Sequence, residues 1–182
     1  MVISMALITT LAAIATPTMI DIVDGLRLGM SVREVERELQ FARLKAVATN
    51  RPMRVRFDCP TTGSIRVVEL LGTTLTPDWS KDFDNYPTRC SESAYPYSPT
   101  GADKSRLTKP NNDGPIRRLQ PGVTLTVKKT VEFWPDGTVH SGLQTQAPWP
   151  LIGAAGETIT LTRKGVSKSI RINSLGKIQM DR

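Results

Sequence analysis

The chain has 182 residues with 13 glycines, 13 prolines, 23% charged and 5% aromatic side chains, and a formal net charge of +7. That length holds one ordinary domain plus an appendage, and the composition excludes both a disordered chain and a protein with several membrane spans. The positive balance favours anionic partners in general, nucleic acid and anionic lipid among them, without selecting one.

Residues 1–20, "MVISMALITTLAAIATPTMI", carry no charged side chain. As an α-helix they extend about 30 Å, which matches the hydrocarbon thickness of a bilayer. "AIA" at 13–15 also suits a small-x-small cleavage site, so an anchor and a removable signal peptide both stand at this point. The next segment, "SVREVERELQFARLKAVATNR", predicts an amphipathic helix, because Val32, Val35, Leu39, Ala42 and Ala46 recur at three- and four-residue steps while charged residues occupy the other faces. Gly25 and Gly29 predict a weakened or broken turn just before it, and Ser31 with Glu34 has the spacing of a capping box at a helix start. The expected parts are an apolar transmembrane or filament-core helix over 1–22, an amphipathic helix over 23–50, and a β-rich domain over 51–182.

Within that domain "MRVRFD" alternates, with Val55 and Phe57 on one side and Arg54 and Arg56 on the other, and it pairs with "SIRVVEL" across the turn "CPTTG". Residues 72–115 hold prolines, polar residues and few apolar anchors, and predict a long, partly ordered surface insertion. Its aromatic residues Trp79, Phe83, Tyr86, Tyr95 and Tyr97 are expected to pin it to the domain. "VTLTVKKT" puts Val123, Leu125 and Val127 on one face, "VEFWPDGTVHSG" turns at Pro135 to Gly137, and "ETITLTR" pairs with "VSKSIRIN" about Lys164 and Gly165. The order of elements predicts an α+β fold, one antiparallel sheet with a face on the helix.

Chemistry is sparse. Cys59 and Cys90 form no CxxC pair, and one histidine, His140, cannot complete a zinc set with them. A disulfide between the two and a pair of separate thiols both fit the sequence. His140 is predicted on a strand, facing solvent, and no serine sits in a glycine elbow. "GADKS" at 101–105 lacks the first glycine and the spacing of a phosphate loop, and Asp82 and Asp84 lack the further oxygens that calcium needs. No catalytic, cofactor-binding or metal-ligating residue is expected.

Two stretches carry a family resemblance. "MALITTLAAIATPTM" looks like the apolar helix of type IV pilins and pseudopilins, and "ELQFARLKAVATNRPMRVRF" resembles the GspH/FimT branch, with Ala42, Arg43, Ala46, Asn50, Pro52, Val55 and Phe57 at the matching positions. "VEFWPDGTV" and "ITLTRKGVSKSIRINSLGKI" resemble that branch's closing hairpins, and roughly residues 72–115 have no counterpart. The resemblance implies a pilin-like α+β fold and a minor subunit at or near the tip of a type IV pilus or a type II secretion pseudopilus. Such a subunit is held in the inner membrane with its carboxyl-terminal domain in the periplasm, then packs among other pilin or pseudopilin subunits. Leu11, Ala12, Ile14 and Pro17 would carry that packing, and no cofactor is implied. The family's basic leader, Gly-Phe junction and early glutamate are not seen; an internal start at Met1 with the leader upstream is expected, and a degenerate member that is not processed normally is the alternative.

Some FimT-like minor pilins implicated in DNA uptake carry a Gly-Arg-x-Arg motif near the end of the chain. Here "GKIQ" keeps Gly176 and a cation at Lys177 but has Gln179 in place of the second arginine. Double-stranded DNA is therefore an alternative partner, with Arg163, Lys164, Arg171 and Lys177 as its contacts, against a plain reading in which those charges keep an exposed strand soluble. A secreted soluble protein with a cleaved signal peptide is a weaker alternative.

Overall fold

One helix, α1 (Val2–Thr49), runs for 48 residues, about 72 Å, and its second half lies along two antiparallel sheets. The computed structural model describes residues 2–70, 87–97, 112–126, 130–142 and 149–180, and gives backbone alone for 2–18 and 87. The strands are β1 (Met53–Phe57), β2 (Ser64–Glu69), β3 (Arg117–Arg118), β4 (Thr124–Thr126), β5 (Thr130–Phe133), β6 (Val139–Gly142), β7 (Glu157–Arg163), β8 (Val166–Ile172) and β9 (Ile178–Met180). This is the α+β arrangement expected from the order of elements.

The predicted apolar stripe is the buried face of α1: Val32, Val35, Leu39, Ala42 and Ala46 are all in the core, and Leu28, one turn earlier, joins them. Burying a leucine such as Leu39 completely stabilises the fold by roughly 1.5–3 kcal/mol. The expected break at Gly25 and Gly29 does not occur, and Ser31 does not cap a helix. Ser31 lies in the helix interior with its Oγ accepting from the Gln120 backbone N–H at 3.0 Å, while Glu34 turns to Arg37 at 2.7 Å. A tertiary contact has taken the hydroxyl that local spacing assigned to a cap. The helix ends at Asn50, whose φ of 52° is the left-handed conformation that asparagine tolerates after a last turn.

One sheet was expected and two are present. The first has the order β3-β2-β1-β5-β6 and the second β4-β7-β8-β9. The predicted hairpins are there: Val55 faces Val67 across β1 and β2, Phe133 faces Val139 across β5 and β6, and Arg163 faces Val166 across the Lys164–Gly165 turn. Alternation told which residues share a face, but two sheets flanking one helix present the same alternation as a single sheet.

The far face of the first sheet is unusual. Arg54, Arg56, Arg66 and Glu132 lie on it, opposite the helix, and all four are buried. Arg66 Nε donates to the Gly114 carbonyl at 3.0 Å, its Nη1 to those of Arg89 at 2.8 Å and Ser91 at 3.2 Å, and its Nη2 to that of Tyr95. Arg89 in turn donates to Asp113 at 2.7 Å and to the Glu69 carbonyl at 2.9 Å. Residues 87–97 and 112–114 of the expected surface insertion are therefore not surface decoration. They cover the sheet, and the arginines satisfy their backbone carbonyls, which a buried loop cannot leave unpaired. The Tyr95 ring packs within this segment, with the Arg89 guanidinium 5.1 Å from it, while Tyr97 is exposed and does not pin the segment. Trp79, Phe83, Tyr86 and residues 98–111, "GADKS" included, lie outside the described residues.

Cys59 and Cys90 are joined, which resolves the open pairing, and the bond ties the end of β1 to a 3-10 turn at Pro87–Cys90. On the same face the Trp149 ring covers Arg54, 3.6 Å from the guanidinium carbon. Gly142 allows this, since a Cβ there would lie 2.5 Å from the indole. His140 is half-buried instead of solvated: it stacks on Trp134 at 4.5 Å, and its Nδ1 lies 2.8 Å from the Trp149 carbonyl.

Candidate functional site

Between Met19 and Leu26 the periodic burial of α1 stops. Met19, Ile20, Ile22, Val23 and Leu26 are exposed, Ile22 at 63% and Leu26 at 62%, whereas Leu28 is fully buried. Isolated exposed apolar residues are ordinary, but a run of five at the point where a helix outruns its domain is a surface that calls for another apolar surface. The four predicted packing positions Leu11, Ala12, Ile14 and Pro17 fall further along α1, where only backbone is described. Among the described residues no helix is long and apolar enough to cross a membrane.

At the same exit a charged cluster fixes the helix to the second sheet. Asp24 Oδ1 accepts from Arg163 Nε at 2.9 Å and Nη2 at 2.7 Å, and its Oδ2 pairs with Lys164 at 2.7 Å. Hydrogen bonds from Lys164 and then Arg163 hold the Asp24 carboxyl below its ordinary value of 3.8, so it stays ionised at neutral pH. The Arg163 side chain is 8% exposed, and its Nη1 also donates to the Pro121 carbonyl. Sequence reasoning placed Arg163 and Lys164 in a nucleic-acid contact and missed Asp24. No periodic signal marks Asp24, since its partners lie 139 and 140 residues away and only the tertiary fold brings them to it.

The four predicted DNA contacts are not one cluster. Arg163 is committed to the helix, and Lys164, at the tip of the β7–β8 hairpin, shares that carboxylate. Arg171 is exposed seven residues further along, roughly 23 Å from Lys164 at the rise of an extended strand. Lys177, also exposed, falls at Arg171's end of the β8–β9 hairpin, where Asn173 Oδ1 accepts from its backbone N–H at 2.8 Å.

The outer face of the second sheet is a lattice of hydroxyls. Thr124, Thr162 and Ser167 stand in one row, and Thr126, Thr160 and Ser169 in the next. A third row holds Thr158, Arg171 and Gln179. Among the described residues of these rows there is no carboxylate, and Arg171 is the one charged side chain. Among the described residues no group of three or more histidine, cysteine, aspartate or glutamate side chains converges as a metal-ligand set.

No family model matches the chain, and no curated protein matches it. Among solved structures it is similar to the minor pseudopilin EpsH from the type 2 secretion system of Vibrio cholerae, with 13% sequence identity and a TM-score of 0.47, over 85% of this chain and 96% of that one.

Proposed function

We propose that the chain is a minor pilin or pseudopilin subunit of a type IV pilus or type II secretion system, which assembles through its N-terminal helix. The observation that carries this reading is the geometry of α1: it is 48 residues long, its second half is the spine of the domain, and the stretch just outside the domain exposes an apolar stripe. The uncharged residues 1–20 continue that stripe in sequence, and the pilin-like motifs around Ala42, Arg43 and Pro52 fall where helix meets first strand. An apolar helix of this kind exchanges lipid for neighbouring helices at small net cost, so one segment serves as inner-membrane anchor before assembly and as filament core afterwards. The domain then stands in the periplasm, where a disulfide persists.

Full-length tagged protein, expressed with its own assembly machinery, is expected in the inner-membrane fraction and to co-purify with other pilin-like subunits. Ile14→Lys puts a charge in mid-stem at a cost of about 2.5–3.5 kcal/mol of insertion and is expected to empty both pools. A soluble product cleaved after Ala15 would overturn the proposal in favour of a secreted protein.

A second reading, contact with duplex DNA, is favoured by the carboxylate-free hydroxyl lattice around Arg171, with Lys177 at the same end. Hydroxyls and cations of this kind suit phosphates. Binding of the intact protein to duplex is then expected to fall with salt, and Arg171→Ala with Lys177→Ala to reduce the slope of log K against log salt by about 2. An unchanged slope would remove DNA from the account.

A further inference from the structure

Where α1 leaves the domain, Gly25, Leu26, Gly29 and Met30 line one side of an open groove of about 520 Å³, and Lys168 of β8 and Met180 of β9 line the other. Apart from Arg33 and Lys168 the lining is apolar and unfilled, with Leu26, Met30 and Met180 all exposed. Folding of the subunit does not explain the two glycines. A Cβ at Gly25 would meet nothing within 4 Å, and one at Gly29 only Lys168 Nζ at 3.8 Å, the far end of a flexible side chain. Neither glycine has a positive φ. Alanine forms helix better at both positions, so each glycine weakens the monomer and leaves the helix backbone bare toward the groove. A bare backbone at this spacing is what allows a second helix to approach closely.

Charge indicates what that helix is. Asp21 is the only charged residue in the first 23, it is exposed, and it makes no ion pair or hydrogen bond among the described residues. Lys168 lies over the groove at Gly29 and is likewise exposed without such a partner among them. Each copy of the chain thus carries an apolar helix that ends in a carboxylate and an apolar groove that is rimmed by an ammonium group. We propose that the groove is the docking site for the stem helix of a second copy of this chain, with Asp21 of one copy against Lys168 of the other. The proposal rests on the subunit reading above and adds a receiving site on the domain to it.

The test is self-association of the full-length chain, carrying two different tags and co-expressed in the membrane. Gly25→Ala with Gly29→Ala is expected to raise the Tm of the domain, because nothing within the subunit opposes the added methyls, and to lower pull-down of one tag by the other about tenfold. Asp21→Lys alone and Lys168→Glu alone are each expected to weaken pull-down, and copies carrying both changes to recover it. When one copy carries Asp21→Cys and its partner Lys168→Cys, a disulfide-linked pair is expected only in the mixture. A higher Tm with unchanged pull-down, or no recovery on charge exchange, overturns the docking site. Co-purification with other pilin-like subunits but never with a second copy also overturns it and leaves the subunit reading standing. Loss of membrane retention and of all co-purification in the unaltered chain defeats both.

Discussion

Replacing Glu132 with alanine is expected to cost the domain about 3–5 kcal/mol, measured as a lower midpoint in denaturant at unchanged slope. Glu132 is the carboxylate that neutralises Arg54 in the interior: Oε1 accepts from Arg54 Nε at 2.8 Å and from its Nη2, while Oε2 lies 3.4 Å from the Trp134 indole nitrogen. Both side chains are buried, at 2% and 4% exposure, and the Trp149 ring closes over the guanidinium. Burial lowers the pKa of Arg54, and the Glu132 charge opposes that shift. Without the carboxylate the desolvation is no longer offset, whereas changing both partners together, Arg54→Met with Glu132→Leu, removes the charge along with its counterion and is expected to recover much of the loss. If Glu132→Ala falls within about 0.5 kcal/mol of the unaltered chain, as an ordinary surface substitution does, the pair is not a determinant of this core.

Loss of the Cys59–Cys90 bond has the second largest expected effect. The cysteines are 31 residues apart with Cα atoms at 5.1 Å, and a loop of that length corresponds to about 3.5 kcal/mol of denatured-state entropy. The bond also ends the segment in which Arg89 reaches Asp113 and the Glu69 carbonyl. Cys59→Ala with Cys90→Ala is therefore expected to do more than lower overall stability: backbone amides of 87–97 should exchange faster than those of β7 and β8, because local opening no longer has to drag β1 along. Uniform acceleration across the domain would show instead that the bond acts on the unfolded chain alone.

The α+β class, the seated face of α1, the three main hairpins and the turn at Lys164–Gly165 were legible because each rests on periodicity or turn chemistry within about twenty residues. Local patterns failed where a distant group competed for the same side chain. Ser31 has the spacing of a cap, yet its hydroxyl meets Gln120 across 89 residues and the helix continues through it. Arg163 has the type and place of a phosphate contact, yet Asp24 has taken it.

The sequence by itself determined the amphipathic helix, the main strands, their apolar faces and an uncharged run ahead of them, since these follow from spacing of 3.6 or 2 residues and from the absence of charge before Asp21. The continuity of one helix through Gly25 and Gly29 did not follow from it. Only the tertiary structure decided that the strands divide between two sheets, that Cys59 meets Cys90, and that Arg89, Cys90, Asp113 and Gly114 of a polar insertion are interior. A charged or polar side chain carries no periodic mark of whether water or a buried partner will satisfy it. For Arg54, Arg66 and Arg89 that choice is made by carboxylates and carbonyls 20 or more residues away, which reach them only when the sheet has formed.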